Sequence, residues 1–123
     1  MKKLLIIALI IGGPVWWFWG RTLEPARVVQ AQLEAISRGD YEKAYGYLSV
    51  DAKQKLTMRG FQEAIEKNSV VRQNYTSEFL FRKIENNLAT FSGTVRAFNS
   101  EKTPATFILV KDGNRWAIQE FRF

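Results

Sequence analysis

Histidine and cysteine are both absent from the 123 residues. With them go the side chains that most often ligate transition metals, serve as thiol nucleophiles or move protons near neutral pH. Most metalloenzyme and catalytic-triad chemistries are therefore excluded, and no metal or cofactor is expected. Without cysteine there is no disulfide framework and no thiol for N-terminal lipidation, so the redox compartment stays open. A phosphate loop, a dinucleotide fingerprint and internal repeats are also missing. Glu78, Glu85 and Glu120 alternate along extended segments as solvated residues do, and no carboxylate pair has a spacing suited to general acid and base work.

What is present suits a packed globule. The chain is 46% apolar and 14% aromatic, too hydrophobic for a disordered polypeptide. About a hundred residues beyond the first twenty can build one core and not two. Formal net charge is +6, from 18 basic and 12 acidic residues. Setting aside Lys2 and Lys3 leaves 16 basic residues, or +4. These are scattered through Arg59, Lys67, Arg72, Arg82, Lys83, Arg96, Lys102, Lys111, Arg115 and Arg122, which reads as a solvated surface with some attraction for anionic headgroups or an acidic partner. A nucleic-acid partner is not expected, because no basic run is massed for phosphate neutralisation.

Lys2 and Lys3 precede the apolar run Leu4 to Ile11, followed by Gly12, Gly13, Pro14 and the cluster Trp16, Trp17, Phe18 and Trp19. A cleaved signal peptide needs small residues before the cut, whereas this region is bulky and aromatic. As an anchor, Leu4 to Gly20 offers about 17 residues, at the short end of what crosses a bilayer. The tryptophan cluster matches an interfacial aromatic belt. Residues 1–21 are thus expected to be an uncleaved single-pass transmembrane anchor. Its basic end lies in the cytoplasm by the positive-inside tendency, and residues 22–123 form an extracytoplasmic domain, periplasmic in a bacterium. The Gly-Gly-Pro break is either a simple kink in a lone helix or a place where a neighbouring membrane protein satisfies freed carbonyls.

In the domain, Pro25 suits a first helical turn, and Val29, Leu33 and Ile36 recur at helical spacing, predicting a helix of roughly 13 residues. Gly39 suits a left-handed cap, and Asp40 can open a second helix on which Tyr41, Ala44, Tyr45 and Leu48 share a face. Asp51 is expected to open a short helical turn through Leu56. Thr57 caps another helix, with Phe61, Ala64 and Ile65 pointing one way. From Tyr75 the period becomes two. Strands are expected at Tyr75 to Glu85, Leu88 to Phe98, Ala105 to Lys111 and Arg115 to Phe123, in an antiparallel, sequentially paired sheet. Its tight turns lie at Asn86-Asn87 and Asp112-Gly113, and a longer polar connection runs from Asn99 to Pro104. Arg38-Gly39-Asp40 spells an adhesion tripeptide that a helix corner explains equally well. Asn74-Tyr75-Thr76 spells a glycosylation sequon that matters only in a pathway that reads it.

Face parity separates the strands. Ala89, Phe91, Val95 and Ala97 alternate with Thr90, Ser92, Thr94 and Arg96, giving one dry and one wet face. The third strand places Phe107 and Leu109 on one face and Ile108 and Val110 on the other, and the fourth opposes Trp116 and Ile118 to Phe121 and Phe123. Either Ile108, Val110, Phe121 and Phe123 form a partner surface, or a bulge shifts the parity and buries both sets.

The corner Arg38-Gly39-Asp40-Tyr41-Glu42-Lys43-Ala44-Tyr45 and the ending Phe107-Ile108-Leu109-Val110-Lys111-Asp112-Gly113-Asn114-Arg115-Trp116-Ala117-Ile118, in which a turn is followed by tryptophan, one residue and isoleucine, resemble the NTF2-like (cystatin-like cone) superfamily. The resemblance covers nearly all of residues 22–123. It implies an α+β fold, with an N-terminal transmembrane helix followed by helices packed on a curved four-stranded antiparallel sheet. Function is barely specified, because the superfamily spans enzymes, transport factors and scaffolds. Enzymatic members place an aspartate, tyrosine or histidine inside the cone. Here histidine is missing and no acidic residue enters clearly, leaving Tyr41 and Tyr45 as the polar groups nearest a cavity lined by Phe91, Phe107 and Trp116. Those tyrosines are equally well core residues whose hydroxyls reach a partner. The resulting expectation is a non-catalytic, membrane-anchored accessory or scaffolding subunit, docked on a larger membrane protein complex or on a second copy of itself. The alternative is a module that holds a small apolar ligand in the cone.

Overall fold

The structure, a computed structural model, describes residues 24–123. The expected anchor at 1–21 and its interfacial Trp16, Trp17, Phe18 and Trp19 lie outside the described residues. Among the described residues no helix is long and apolar enough to cross a membrane.

Helix α1 covers residues 24–37 and buries Val29, Leu33 and Ile36 as expected, together with Gln32 and Ala35. It stops at Gly39, whose φ of 76° is the left-handed conformation that favours glycine. The Gly39 N–H donates to the Ile36 carbonyl at 3.0 Å and the Asp40 N–H to the Ala35 carbonyl at 2.9 Å, which closes the helix end in a Schellman motif. Asp40 then accepts the Lys43 N–H at 3.2 Å and opens α2 (Tyr41–Gly46). The adhesion-like tripeptide is thus a helix corner. Helix α3 (Val50–Lys55) is opened by Ser49, which accepts from Ala52 at 3.0 Å, and not by Asp51, which lies in the first turn. Thr57 caps α4 (Met58–Glu66) as expected; Phe61 and Ile65 are buried there while Ala64 is only half-buried. A further short helix, α5 (Ser69–Arg72), starts at Asn68 and buries Val70 and Val71.

Four antiparallel strands follow in sequential order: β1 (Asn74–Glu85), β2 (Leu88–Ala97), β3 (Lys102–Asp112) and β4 (Arg115–Arg122). The β1–β2 and β3–β4 turns fall where expected, with Asn86 at φ 54° and Gly113 at φ 64°. The middle connection is shorter than the sequence suggests. β3 starts at Lys102, ahead of Ala105, because Ala97 and Glu101 close a tight turn in which the Ala97 N–H donates to the Glu101 carbonyl at 2.8 Å. The edge of β4 is covered by the α2–α3 connection: the Ile118 N–H donates to the Tyr47 carbonyl and the Ser49 N–H to the Ile118 carbonyl, each at 2.8 Å. That leaves no free ladder on this edge around Ile118.

The sheet bends at β-bulges. In β1, Tyr75 is an extra residue between the pairs Asn74–Ala97 and Thr76–Arg96, and Phe79 and Leu80 together face Gly93. In β4, Gln119 is the extra residue between Leu109–Ile118 and Ile108–Glu120. At the second bulge β1 lies directly on β2. A Cβ added to Gly93 would run into the Glu78 carbonyl oxygen and lie 2.7 Å from the Phe79 Cα, backbone atoms that cannot swing aside. Gly93→Ala is therefore expected to cost more than about 3 kcal/mol or to prevent folding. Denaturant unfolding followed by circular dichroism measures this, and a variant within about 1 kcal/mol of wild type would show that the bulge is not held so closely.

Candidate functional site

Between the helices and the inner face of the sheet the chain's own aromatic rings form a continuous series. Tyr45 meets Phe61 at a centroid distance of 5.8 Å and Phe61 meets Phe121 at 5.6 Å. Phe121 lies 5.3 Å from Phe123, Phe123 is 5.7 Å from Phe107, and Phe107 is 5.7 Å from Phe79, which also contacts Phe91 at 6.5 Å. Most of these contacts are edge-to-face, the geometry that suits the ring quadrupole. Phe61, Phe91 and Phe107 are fully buried.

Among the described residues, the five expected to line one cavity fall into separate groups of contacts. Phe91 and Phe107 meet within the core, bridged by Phe79. Tyr45 belongs to the Phe61 end, where its hydroxyl donates to the Leu56 carbonyl at 2.6 Å and lies 3.2 Å from the Lys53 carbonyl. It is thus a structural tyrosine that satisfies the last turn of α3. Tyr41 is half-buried and packs against the core from α2. Trp116 is nearly buried, and its outer edge lines a separate open cavity between α1, α2 and the β3–β4 hairpin.

Of the two alternatives for the second set of apolar residues, the bulge holds for Phe121 and Phe123. Phe121 and Phe123 pack inward against Phe61 and Phe107. The Gln119 bulge is the reason. It inserts one residue into β4, so that Ile118, opposite Leu109, and Phe121, opposite Phe107, both face the core despite their odd spacing. Gln119 itself is captured from α3. Ser49 Oγ donates to Gln119 Oε1 at 2.6 Å, and Gln119 Nε2 donates to Asp51 Oδ2. That hydrogen bond, seconded by Lys55 at 3.1 Å, holds the Asp51 carboxyl below the usual carboxylate range.

Ile108 and Val110 do face away from the helices. Across the outer face Leu88, Val110 and Ala117 form one row, Thr90, Ile108 and Glu120 the next, and Phe81, Ser92 and Thr106 the third. Phe81 is 54% and Leu88 45% exposed, and Ile108 and Val110 are half-buried by their neighbours. Ion pairs flank this strip, Lys83 with Glu85 at 3.1 Å on β1 and Glu120 with Arg122 at 2.8 Å on β4. Leu88 has a legible signal, and Phe81 would have one, since each occupies an outward position of a period-two strand. The bulge after Glu78 conceals it for Phe81. Elsewhere on the surface Tyr75, the bulge residue of β1, stacks on Phe98 at 4.5 Å with both rings largely exposed.

Buried polar groups are few and structural. Asn74 of the glycosylation-like triplet donates to the carbonyls of Leu33 and Val71, each at 2.8 Å, tying β1 to α1 and α5. Its amide is spent inside the protein. Gln32 donates to the Ala44 carbonyl at 3.2 Å, and its Oε1 is buried without a partner among the described residues. Among the described residues no cluster of His, Cys, Asp and Glu side chains could hold a metal ion.

A family model described as "Domain of unknown function (DUF4864)" matches residues 22–122. Among solved structures, a Campylobacter jejuni protein whose name proposes an NTF2-like transpeptidase superposes with a TM-score of 0.65 at 13% identity, covering 78% of this chain and 97% of that one. A DUF4783 family protein from Bacteroides ovatus gives 0.54 at 19% identity, covering 75% and 89%. An uncharacterised cystatin-fold protein from Novosphingobium aromaticivorans gives 0.51 at 15% identity, covering 82% and 99%. The fold is NTF2-like, as the helix corner and last hairpin imply. No curated protein matches the sequence significantly.

Two predictions test this assignment of roles. Tyr45→Phe keeps the ring contact and strips the donor from the end of α3, so it is expected to cost about 1–2 kcal/mol in denaturant unfolding; a neutral result would assign the hydroxyl another role. Asp51, with a folded-state pKa below its unfolded value, contributes stability that is complete above the ordinary carboxylate range and is lost as pH falls through the lowered pKa. The gap in thermal midpoint between wild type and Asp51→Asn is therefore expected at about pH 7 and to close towards about pH 2.

Proposed function

The chain belongs to the DUF4864 family, and we propose that it is a non-catalytic, membrane-anchored accessory subunit that docks on a larger membrane protein complex through the outer face of its sheet. The observation that carries this reading is the strip of Phe81, Leu88, Ile108 and Val110. It is the face that the chain's own helices leave uncovered, apolar at its centre and edged by charged pairs on β1 and β4. Protein interfaces have that anatomy, an apolar middle within a polar rim. The leader supports the membrane half of the proposal, because a charged start, an apolar run and four consecutive bulky aromatics fit an uncleaved anchor with the domain outside the cytoplasm. Residues 1–21 would then be the anchor and residues 22–123 the docking domain.

Catalysis finds little support. A transpeptidase, the activity in the name of the Campylobacter jejuni protein, needs an activated nucleophile and a base to move its proton. This chain has neither cysteine nor histidine. The buried polar residues of the domain, Gln32, Ser49 and Asn74, are engaged in helix caps and backbone bonds. A small apolar ligand in the cone has less support than it has from sequence alone, because Phe91, Phe107, Phe121 and Phe123 occupy that space.

The test is recovery of full-length protein from native membranes in mild detergent, beside a Phe81→Lys, Leu88→Lys double variant. Both positions are exposed, so stability should stay within about 1 kcal/mol. Wild type is expected to elute with a larger complex and the variant alone. A wild-type protein that elutes as a lone monomer, or a variant that keeps its companions, would sink the docking role.

A further inference from the structure

One cavity belongs neither to the cone nor to the docking strip. It has a volume of about 540 Å³ and opens between the start of α1, the end of α2 and the β3–β4 hairpin. We infer that it binds the phosphate of an anionic lipid headgroup. The inference rests on the anchored reading above and adds a ligand to it.

Position comes first. Glu24, the first described residue of α1, lies at the edge of this cavity. Only Arg21, Thr22 and Leu23 separate it from the end of the apolar segment, and three residues reach about 10 Å when extended. A leader seated in a bilayer would therefore hold the cavity at headgroup depth. Chemistry comes second. Lys43 from α2 and Arg115 from the hairpin converge on the cavity from different elements. Neither forms an ion pair among the described residues, whose pairs all lie elsewhere. Arginine matches phosphate through its planar fork and lysine supplies a point charge. Val28, Tyr47 and the edge of Trp116 provide apolar and amphipathic walls, the surface that tolerates the glycerol and first methylenes below a phosphate. The Glu24 carboxylate is the one opposing charge and leaves the lining with a net positive balance. The size suits a headgroup, since small-ligand sites run from about 300 to 1,000 Å³.

The groove at the far end of the sheet supplies a control. Arg96 and Lys102, opposite one another in register, line it with Thr76, Ser77, Glu78 and Thr94, a polar set without apolar walls. Neutralising this far pair reports the attraction of the domain's overall charge to an anionic surface, whereas neutralising Lys43 and Arg115 reports the cavity as well.

Because the chain has no native cysteine, full-length protein carrying Glu42→Cys can be spin-labelled at one place, next to Lys43 and one helical turn before Gly46, two residues that line the cavity. The labelled chain is reconstituted into nanodiscs of phosphatidylcholine alone or with phosphatidylglycerol, and shielding of the label from an aqueous paramagnetic nickel complex is measured. Phosphatidylglycerol is expected to shift the docked population. Lys43→Gln with Arg115→Gln should reverse the shift by roughly thirtyfold, taking each surface-proximal cation as about fivefold. Arg96→Gln with Lys102→Gln should leave it within about twofold. No dependence on phosphatidylglycerol, or equal losses from both pairs, would overturn the site. Inorganic phosphate that reproduces the shift in phosphatidylcholine discs would assign the cavity to free phosphate and overturn the lipid. A chain that fails to co-elute with any disc refutes the anchor, and this inference falls with it; co-elution without lipid-dependent shielding refutes the site alone.

Discussion

Gly93 and the Glu78–Phe79 backbone lie against one another with no room for a methyl group, and the shape of the domain depends on that contact. A flat four-stranded meander would place Phe79, Phe91 and Phe107 in a plane and leave their edges wet. The bulge opposite Gly93 increases the local twist and brings β1 over β2. Phe79 can then put its ring against both Phe91 and Phe107. The aromatic series from Tyr45 to Phe91 is a consequence of that bend. The same bend carries Phe79 in between the helices and the inner face of the sheet.

The second bend works from the opposite edge. Gln119 has no partner in the β3–β4 ladder, and an unpaired bulge residue would be free to relax. It is held instead by Ser49 and Asp51, the residues that begin α3, while Ser49 also caps that helix. Helix α3 and the parity of β4 are therefore fixed by one small polar cluster. The residues that begin the helix also decide that Phe121 faces inward.

That coupling explains which features the sequence reveals. Helix ends and tight turns are local, set by Gly39, Asp40, Thr57, Asn86 and Gly113 within a few residues of where they act, and each stands where its chemistry points. Strand order follows from short connections and is equally legible. Parity beyond a bulge is different, because it depends on residues far apart in the chain, Gln119 with Ser49 or Gly93 with Glu78. Alternation therefore assigns Ala89, Phe91, Phe107 and Leu109 correctly and misplaces Phe121 and Phe123. Tyr45 shows the same limit on a helix. Its spacing says that it faces inward, but the carbonyls of Leu56 and Lys53 that engage its hydroxyl belong to the next helix. Helix α5 is missed for a simpler reason, since four residues are too few to display a period.

The apolar side chains Phe81, Leu88, Ile108 and Val110 of the outer face and the cavity beside α1 are separate features with different chemistry, the first apolar within ion pairs, the second cationic over aromatic walls. They are not competing explanations of one site. The cavity lies beside residue 24, so on the proposed anchoring the domain would have one place committed to the membrane. A single tether would leave the domain free to tumble, and ordering it on a partner would then cost rotational entropy. A second contact at the membrane surface would lower that cost before any partner arrives. The basic cavity and the apolar face would then act in sequence, the first orienting the domain and the second engaging whatever protein stands beside it.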